Sequence, residues 1–317
     1  MAVPGITREH PNFRTAPSLD STVIRVLSPG IEVTVMDRHG EYFRVVVGGQ
    51  EGFVHVEYVV PNPGGPVVEA PPPVVEAPVA VSPNSLAADA QLAAVPLAPP
   101  PEVMVQGGSS VARVWNNYGA LLTLLAGKLG IEPEVIVATL AVESGGRSTG
   151  ADGRLLIRFE NHIFRDHWSD ARFGDHFVFD AGKAWLGHHW RPASNDDWRV
   201  CHMSDQPGEW EVFSFACGLD DNAAKASISM GLTQVMGFNH STIGYGTPAA
   251  MFDAFSRGPR YQVLGFADFV MKNGAVPSLQ QGDYNTFARI YNGTGQIALY
   301  SRLIRDAVAE IRTLRGL

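Results

Sequence analysis

A proline-rich stretch limits how the 317 residues of this chain can fold. Between residues 61 and 103 the motif Pro-Val-Val-Glu-Ala-Pro occurs twice, at 66–71 and 73–78, and three prolines follow at 99–101. A segment of this composition cannot build a hydrophobic core and favours an extended polyproline conformation. The sequence therefore predicts two domains, residues 1–60 and residues 104–317, joined by a linker of residues 61–103.

Short alternating runs of apolar residues fill the first domain. They predict strands at 22–27, 31–36, 42–47 and 52–56, separated by turn signals such as Gly48-Gly49. Because several short strands follow one another in so few residues, we expect a small all-β barrel.

The stretches at 12–17 and 52–55 give this first domain a resemblance to bacterial SH3-like domains, which are commonly attached to wall-degrading enzymes. The resemblance implies that the domain binds cell wall through aromatic side chains. Alternatively, these aromatic residues fill the barrel core. The aromatic candidates are Phe13, Tyr42, Phe43 and Tyr58.

The second domain has helical periodicity. An apolar stripe over Val111–Leu129 ends at Gly130, and Pro133 then opens a second helix that runs to Glu143. Residues 155–159 alternate as a strand would, and further helices are predicted up to 314. We expect an α+β fold that is mainly α-helical, with a small β element.

Glu143 stands at the end of an almost wholly apolar helix and is followed by two glycines. Apolar surroundings disfavour the charged form of a carboxylic acid, so we expect a raised pKa. Such a group can donate a proton to a leaving-group oxygen. The alternative is a solvated glutamate at an ordinary helix end.

Two later motifs favour the catalytic interpretation of Glu143. The chain carries, in this order, Glu143-Ser144, then Gly231-Leu232-Thr233-Gln234, then Tyr291-Asn292. The ordered triplet resembles lytic transglycosylases and goose-type lysozymes. With the stretches 154–164 and 231–239 it is still more similar to the N-acetylmuramidase family of phage endolysins, over roughly residues 110–315.

The resemblance implies a lysozyme-like fold and cleavage of the β-1,4 bond between N-acetylmuramic acid and N-acetylglucosamine in peptidoglycan, with Glu143 as the acid. It also implies that Ser144, Gly231, Gln234, Tyr291 and Asn292 bind substrate. The amides of Gln234 and Asn292 can hydrogen-bond a sugar, and Tyr291 offers its ring a flat face. Alternatively, Gln234 caps a turn and Tyr291 belongs to the core.

The chain departs from transglycosylases in the spacing of its motifs, since about ninety residues separate Glu143 from Gln234. Within that insertion Glu160 is our candidate for the second carboxylate of a glycoside hydrolase. Its alternative role is an ion pair with Arg158 or a neighbouring basic residue. A transglycosylase would need no second carboxylate. The weaker candidates are Asp152, Asp220 and Asp221.

Composition excludes several other functions. With 24 Lys and Arg against 32 Asp and Glu, a net charge of −8, and no basic patch, nucleic acid is not expected as a partner. We expect a monomer that acts on peptidoglycan glycan strands without a cofactor, and no membrane association, since no apolar run is long enough to span. A non-catalytic wall-binding protein is the alternative from another class.

The first residues lack a secretory signal. We therefore expect synthesis in the cytoplasm and release to the wall by a holin or a secretion machine.

Histidine and cysteine content raises a metal hypothesis. A zinc amidase or peptidase is the alternative enzyme, but no His-Glu-x-x-His motif is present, so we expect no metal site. We interpret Cys201 and Cys217 as two isolated thiols. The alternative is that they form a disulfide. The histidines that invite the hypothesis are His162, His167, His176, His188 and His189.

Overall fold

The computed structural model describes most of the chain as two compact units. One unit groups residues 1–78 with 149–154, and the other groups 79–148 with 155–317. The linker prediction for residues 62–79 and 100–103 lies outside the described residues. The ranges described are 3–8, 11–18, 21, 23–27, 31–61, 80–99, 104–150, 152–202, 206–293 and 296–317.

The first unit is an antiparallel sheet in the order β3-β2-β6-β5-β4-β1-β7. Its strands are β1 (Val3–Thr7), β2 (Asn12–Arg14), β3 (Val23–Val26), β4 (Glu32–His39), β5 (Tyr42–Val47), β6 (Gln50–His55) and β7 (Val59–Pro61). The turn at Gly48-Gly49 joins β5 to β6 with Val47 opposite Gln50. The predicted all-β fold of this domain is confirmed.

The four aromatic candidates of the first unit are all at least partly buried. Phe13 is wholly buried and packs with Val45 and Val54. Tyr42 and Tyr58, with His55, border a cleft of about 250 Å³. Phe13 and Tyr42 are therefore both buried, although Tyr42 also borders the cleft, and Phe43 and Tyr58 are half-buried and pack against the core.

The second unit combines twelve described helices with two small sheets. The helices are α1 (Ala90–Ala94), α2 (Ser110–Leu129), α3 (Pro133–Ser144), α4 (Asn161–His167), α5 (Phe173–His176), α6 (Gln206–Leu219), α7 (Asp221–Ala226), α8 (Pro248–Arg257), α9 (Pro259–Lys272), α10 (Val276–Gln280), α11 (Tyr284–Asn292) and α12 (Ile297–Arg315). Within the described ranges, no helix has the length and apolar character that spanning a membrane requires.

The two small sheets have three strands each. They are ordered β11-β10-β9 and β13-β12-β8. Their strands are β8 (Ile157–Phe159), β9 (Phe177–Val178), β10 (His189–Trp190), β11 (Arg199–Val200), β12 (Ile228–Met230) and β13 (Val235–Met236). The mixed α and β character predicted for the chain is thus confirmed.

Helix α3 lies at the centre of the larger hydrophobic core. Pro133 occupies its first turn, where a missing N–H costs no hydrogen bond, and every residue from Val135 to Ala141 is buried. The helix packs against α2 and α12. It ends because Gly145 adopts a left-handed conformation, φ 62°, which glycine takes without steric cost.

A second hydrophobic core is formed by buried residues from Leu155 to Phe255. Strand β8 pairs antiparallel with β12, with Ile157 opposite Met230. Phe159 and Phe164 are fully buried in this core. Cys201 is buried and Cys217 half-buried, and both are free thiols, as the isolated-thiol interpretation predicts.

Part of the predicted linker is folded. Residues 80–99 belong with the second unit, where Leu92 is fully buried in the larger core. The Ser85 hydroxyl donates to the buried Asp268 carboxylate at 2.6 Å, and the guanidinium of Arg260 donates to the carbonyls of Leu92 and Val95. The extended conformation expected from composition does not describe this segment.

Candidate functional site

The three sequence motifs meet around the end of α3. Helix α3, which carries Glu143 and Ser144, contacts the 3-10 turn Gly231–Thr233. Tyr291 lies in the last turn of α11, and its hydroxyl donates to the Thr233 carbonyl at 2.6 Å. Residues that are far apart in the chain therefore share one site.

Glu143 is half-buried at this site. Burial raises the pKa of Tyr291 well above its ordinary value, and the charge of Glu143 adds to the effect. Burial and the same charge raise the pKa of Tyr300 to about 12. The charge of Glu143 therefore acts on two tyrosines, one on α11 and one on α12. The raised pKa expected for Glu143 itself stays a prediction.

The turn at 231–234 has an unusual backbone that glycine makes possible. Gly231 has φ +66°, and a Cβ there would lie 2.3 Å from Oε1 of Gln262. That oxygen is buried and accepts from the Leu232 N–H at 2.7 Å, while the Gln262 amide nitrogen donates to the Phe255 carbonyl at 2.9 Å. The buried side chain of Gln262 thus fixes the turn by bonding the backbone of Leu232 and of Phe255.

Gln234 closes the turn with its own side chain. Its backbone is left-handed, φ 50°, which is uncommon for a residue other than glycine. Its amide nitrogen donates to the Gly231 carbonyl at 2.8 Å, and its amide oxygen accepts from the Ser229 hydroxyl at 2.7 Å. These bonds correspond to the turn-capping role that the sequence left open; its role in binding a sugar stays a prediction.

The other candidate binding residues also have structural contacts. The Ser144 hydroxyl oxygen accepts from the Arg147 N–H at 3.2 Å. The Tyr291 ring stacks on Phe287, with centroids 5.4 Å apart, and meets Phe266 and Phe269 edge-on, so it packs against the core, as its alternative predicts. Its role in binding a sugar stays a prediction. Asn292 ends α11, and its side chain lies outside what the structure describes.

Glu160 follows β8 and has several basic neighbours. Its Oε1 accepts from Nε of Arg158 at 2.9 Å. Its Oε2 lies 3.4 Å from Nδ1 of His188, 3.5 Å from Nδ1 of His162 and 3.8 Å from Nε2 of His202. The ion pair named as its alternative role is therefore present.

The weaker carboxylate candidates have local partners of their own. Asp152 forms an ion pair with Arg154 at 2.6 Å. The Asp220 carboxylate caps α7 by accepting from the Ala223 N–H at 2.9 Å, and Asp221 forms an ion pair with Lys225 at 2.7 Å. Each carboxylate thus has a structural explanation.

Two histidines lie with Glu160 in an arrangement that could hold a metal ion, although the sequence predicts no metal site. In the part of the chain that the structure describes, Glu160, His188 and His202 offer three ligand atoms that all lie within 4.8 Å of one another. The sequence interpretation missed His202 and its neighbour Glu209. The members of the cluster come from separate loops without regular spacing, so no local motif signals them.

The remaining histidines singled out in the sequence lie elsewhere. His167 stacks on Phe238, His176 contacts the Arg191 carbonyl at 3.2 Å, and His189 contacts the Gly187 carbonyl at 2.9 Å.

Comparisons with known proteins identify both domains. The sequence profile of the N-acetylmuramidase family matches residues 132–312, and that of the bacterial SH3 domain matches residues 9–60. A crystal structure of the Burkholderia AP3 phage endolysin is similar at 22% identity and a TM-score of 0.48, covering 60% of this chain and 69% of that one. No curated protein matches the chain.

The family match extends over more than half of the 317 residues and includes Glu143, the 231–234 turn and Tyr291. It supports a peptidoglycan hydrolase of the glycoside-hydrolase type. The chain belongs to the N-acetylmuramidase family and carries a bacterial SH3 domain at its N-terminus.

Proposed function

We propose that this chain cleaves the β-1,4 bond between N-acetylmuramic acid and N-acetylglucosamine in peptidoglycan, with Glu143 as the general acid. The observation that carries the proposal is the meeting of α3, the 231–234 turn and α11. Glu143 acts on the pKa of Tyr291, and Tyr291 in turn holds the carbonyl of Thr233. This arrangement supports a role for Glu143 beside the turn and the tyrosine that the family resemblance assigns to substrate binding.

The chemistry asked of Glu143 is one proton transfer. Its protonated carboxyl gives the proton to the glycosidic oxygen while the bond to the anomeric carbon breaks through an oxocarbenium-like transition state. Water then adds to the anomeric carbon and gives up a proton, which restores the protonated form of Glu143, and a reducing N-acetylmuramic acid end is left. The apolar helix behind Glu143 supports a neutral, proton-carrying form of its carboxyl group.

The second carboxylate remains a prediction. Glu160 is the candidate in the insertion, but one of its oxygens pairs with Arg158 and the other faces histidines. These contacts support the ion-pair alternative. Our proposal for the acid step rests on Glu143 alone.

Substrate binding is assigned to the neighbourhood of Glu143. We propose that Ser144, Gln234 and Asn292 offer polar groups to the N-acetyl and hydroxyl substituents of the sugars. Gly231 lets the turn form close to the substrate, and Tyr291 keeps that turn in place. The SH3 domain would hold the enzyme on the wall, where its cleft at Tyr42 and Tyr58 is the candidate contact. A holin or a secretion machine would deliver the chain.

The test is the substitution Glu143→Gln, which removes the titratable proton with little change in shape. We expect lysis of purified cell walls to fall at least about 100-fold, with an unchanged circular dichroism spectrum, because general acid catalysis contributes about 10²–10⁴-fold. Turbidity loss of a wall suspension measures the rate.

Glu132→Gln is the matched control. Glu132 lies at the other end of the same helix, is exposed and pairs with Arg312. The control should keep nearly full activity. A folded Glu143→Gln protein that retains more than about a tenth of the activity would refute Glu143 as the acid.

A further inference from the structure

We propose that Glu160, His188 and His202 form a site for a divalent transition-metal ion, of which Zn²⁺ fits best. The ion would link the three chain segments that carry these residues. The inference does not depend on the reaction proposed above. It starts from the separations of the three ligand atoms. They are 2.8 Å between the two histidine nitrogens, and 3.4 and 3.8 Å from these nitrogens to Oε2 of Glu160.

These separations suit one tetrahedral ion. With zinc–nitrogen and zinc–oxygen bonds of about 2.0–2.1 Å, ligand atoms of a tetrahedral site lie about 3.3 Å apart. The three observed distances bracket that value, so shifts of a few tenths of an ångström complete the geometry. Two imidazole ligands and one carboxylate are a ligand set typical of zinc.

Hydrogen bonds select the tautomers that a metal requires. Nε2 of His188 lies 2.7 Å from the Ala184 carbonyl, which can only accept, so this nitrogen carries the proton. Nδ1 of a neutral His188 therefore presents a lone pair towards His202. His188 itself is fully buried at the side chain.

His202 is oriented by a buried carboxylate. Its Nδ1 lies 3.0 Å from Oε1 of Glu209, whose other oxygen accepts from the Phe159 N–H at 2.9 Å. The Glu209 oxygen accepts from Nδ1–H, so the lone pair of a neutral His202 is on Nε2. Carboxylates that orient metal-binding histidines in this way are usual in zinc sites.

The two lone pairs consequently face each other across 2.8 Å. Two acceptors at this separation repel unless a cation lies between them or one histidine takes up a proton. A cation bound to both nitrogens also engages Oε2 of Glu160, which forms no hydrogen bond within the described part of the chain. Oε1 of Glu160 stays with Arg158 and holds the carboxylate in place.

His162 supplies a second observation. Its Nδ1 is buried, lies 3.5 Å from the same Glu160 oxygen and has no hydrogen-bond partner among the described residues. Buried polar atoms rarely remain unsatisfied. This nitrogen borders the cluster, although it is not one of the three ligand atoms that lie within 4.8 Å of one another.

The position of the cluster explains what an ion would stabilise. Glu160 joins β8 to α4, His188 precedes β10, and His202 follows β11. Strands of two residues have few hydrogen bonds of their own, so an ion that ties these segments together restrains loops that local interactions alone hold weakly. Metal binding of this kind adds directly to folding stability.

Titration of the full chain with zinc tests the proposal. The protein is stripped with EDTA, dialysed and titrated with ZnCl₂ by calorimetry, and thermal unfolding is followed in parallel. We expect one equivalent of zinc per chain and a higher Tm in its presence. Co²⁺ in place of Zn²⁺ should give the visible absorption of a tetrahedral site.

Variants locate the ion. His202→Gln and Glu160→Gln should each weaken zinc binding at least about tenfold and abolish the Tm increase. His189→Gln is the matched control, because His189 is the chain neighbour of His188 but bonds the Gly187 carbonyl. It should bind zinc as the wild type does.

Failure of the wild-type protein to take up zinc would overturn the proposal, whatever the variants do, and would mean that the cluster shares a proton instead. Equal affinity in a folded His202→Gln protein would also overturn it. None of these measurements depends on wall lysis, so they separate this site from the role of Glu143.

Discussion

Gly231 occupies a position that no other residue fits. Its backbone is left-handed, and the missing side chain leaves room for the amide of Gln262, which is fully buried. That amide bonds the backbone of Leu232 on one side and of Phe255 on the other. The turn beside Glu143 is therefore fixed by its packing against α9 as well as by its own hydrogen bonds.

Gly231→Ala should destabilise the second unit strongly. A left-handed conformation costs an alanine about 1–2 kcal/mol, and overpacking against Gln262 adds about 1–3 kcal/mol. Denaturant unfolding of the purified variant measures the total loss in free energy of unfolding.

The matched control for Gly231→Ala is Gly274→Ala. Gly274 also has a positive φ, +68°, but a Cβ there meets nothing within 4 Å. The Gly274→Ala variant should lose only the free energy of unfolding that the left-handed backbone costs an alanine, about 1–2 kcal/mol. If both variants lose the same stability, the contact with Gln262 does not fix the turn.

At the residue scale the sequence predicts where a functional group lies better than what it touches. The apolar helix and the glycines that follow Glu143 place it at a helix end, and the structure has it there. By contrast, the side chain of Gln234 folds back onto Gly231 and Ser229. Such a conformation depends on the tertiary arrangement of the turn, so sequence spacing cannot reveal it.

At the element scale, local signals predict the ends of helices. Gly130 ends α2 and Pro133 opens α3, as the sequence predicts. These signals succeed because caps and proline act within one turn of the chain. Strands β9 to β11 were not predicted, because two residues are too short to carry an alternating pattern.

The predicted linker shows how composition can mislead. Residues 80–99 are rich in alanine and proline, yet Leu92 is buried and Ser85 bonds Asp268. Burial raises the pKa of Asp268, and the bonds from the Ser85 hydroxyl and the Leu86 N–H counteract that effect. A few anchoring residues therefore suffice to fix a segment that composition alone assigns to a linker.

Ser85→Ala should weaken this anchorage. Removing a hydrogen bond to a buried carboxylate costs about 1–3 kcal/mol, since Asp268 loses a donor that water cannot replace. Urea unfolding of the full chain checks the value.

The control for Ser85→Ala is Ser82→Ala. Ser82 is half-buried, and its hydroxyl oxygen accepts a long bond of 3.4 Å from the Asn84 N–H. The control should change the free energy of unfolding by less than about 0.5 kcal/mol. Equal effects at both serines would mean that the contact with Asp268 does not hold the segment.

At the scale of the whole molecule, the catalytic unit extends further towards the N-terminus than the predicted boundary at 104. The contacts of Ser85 and Leu92 place residues 80–99 within this unit. A truncated protein of residues 80–317 should therefore fold and cleave soluble glycan fragments, although it lacks the SH3 domain.

A truncated protein of residues 104–317 should have a lower Tm than that of 80–317, because it leaves the Leu92 site empty and Asp268 without its donors. Differential scanning calorimetry compares the two. Equal melting temperatures would show that residues 80–99 contribute nothing to the unit. A folded but inactive 80–317 protein would show that cleavage requires the N-terminal domain.

Mass spectrometry of the fragments released from purified peptidoglycan tests the central claim most directly, because it reports both the bond that is cut and the end that forms. The account predicts fragments with reducing N-acetylmuramic acid ends from the wild-type chain, and almost none from Glu143→Gln over the same time. Fragments ending in 1,6-anhydro sugars, cleavage at peptide bonds, or equal release by folded Glu143→Gln would each contradict it.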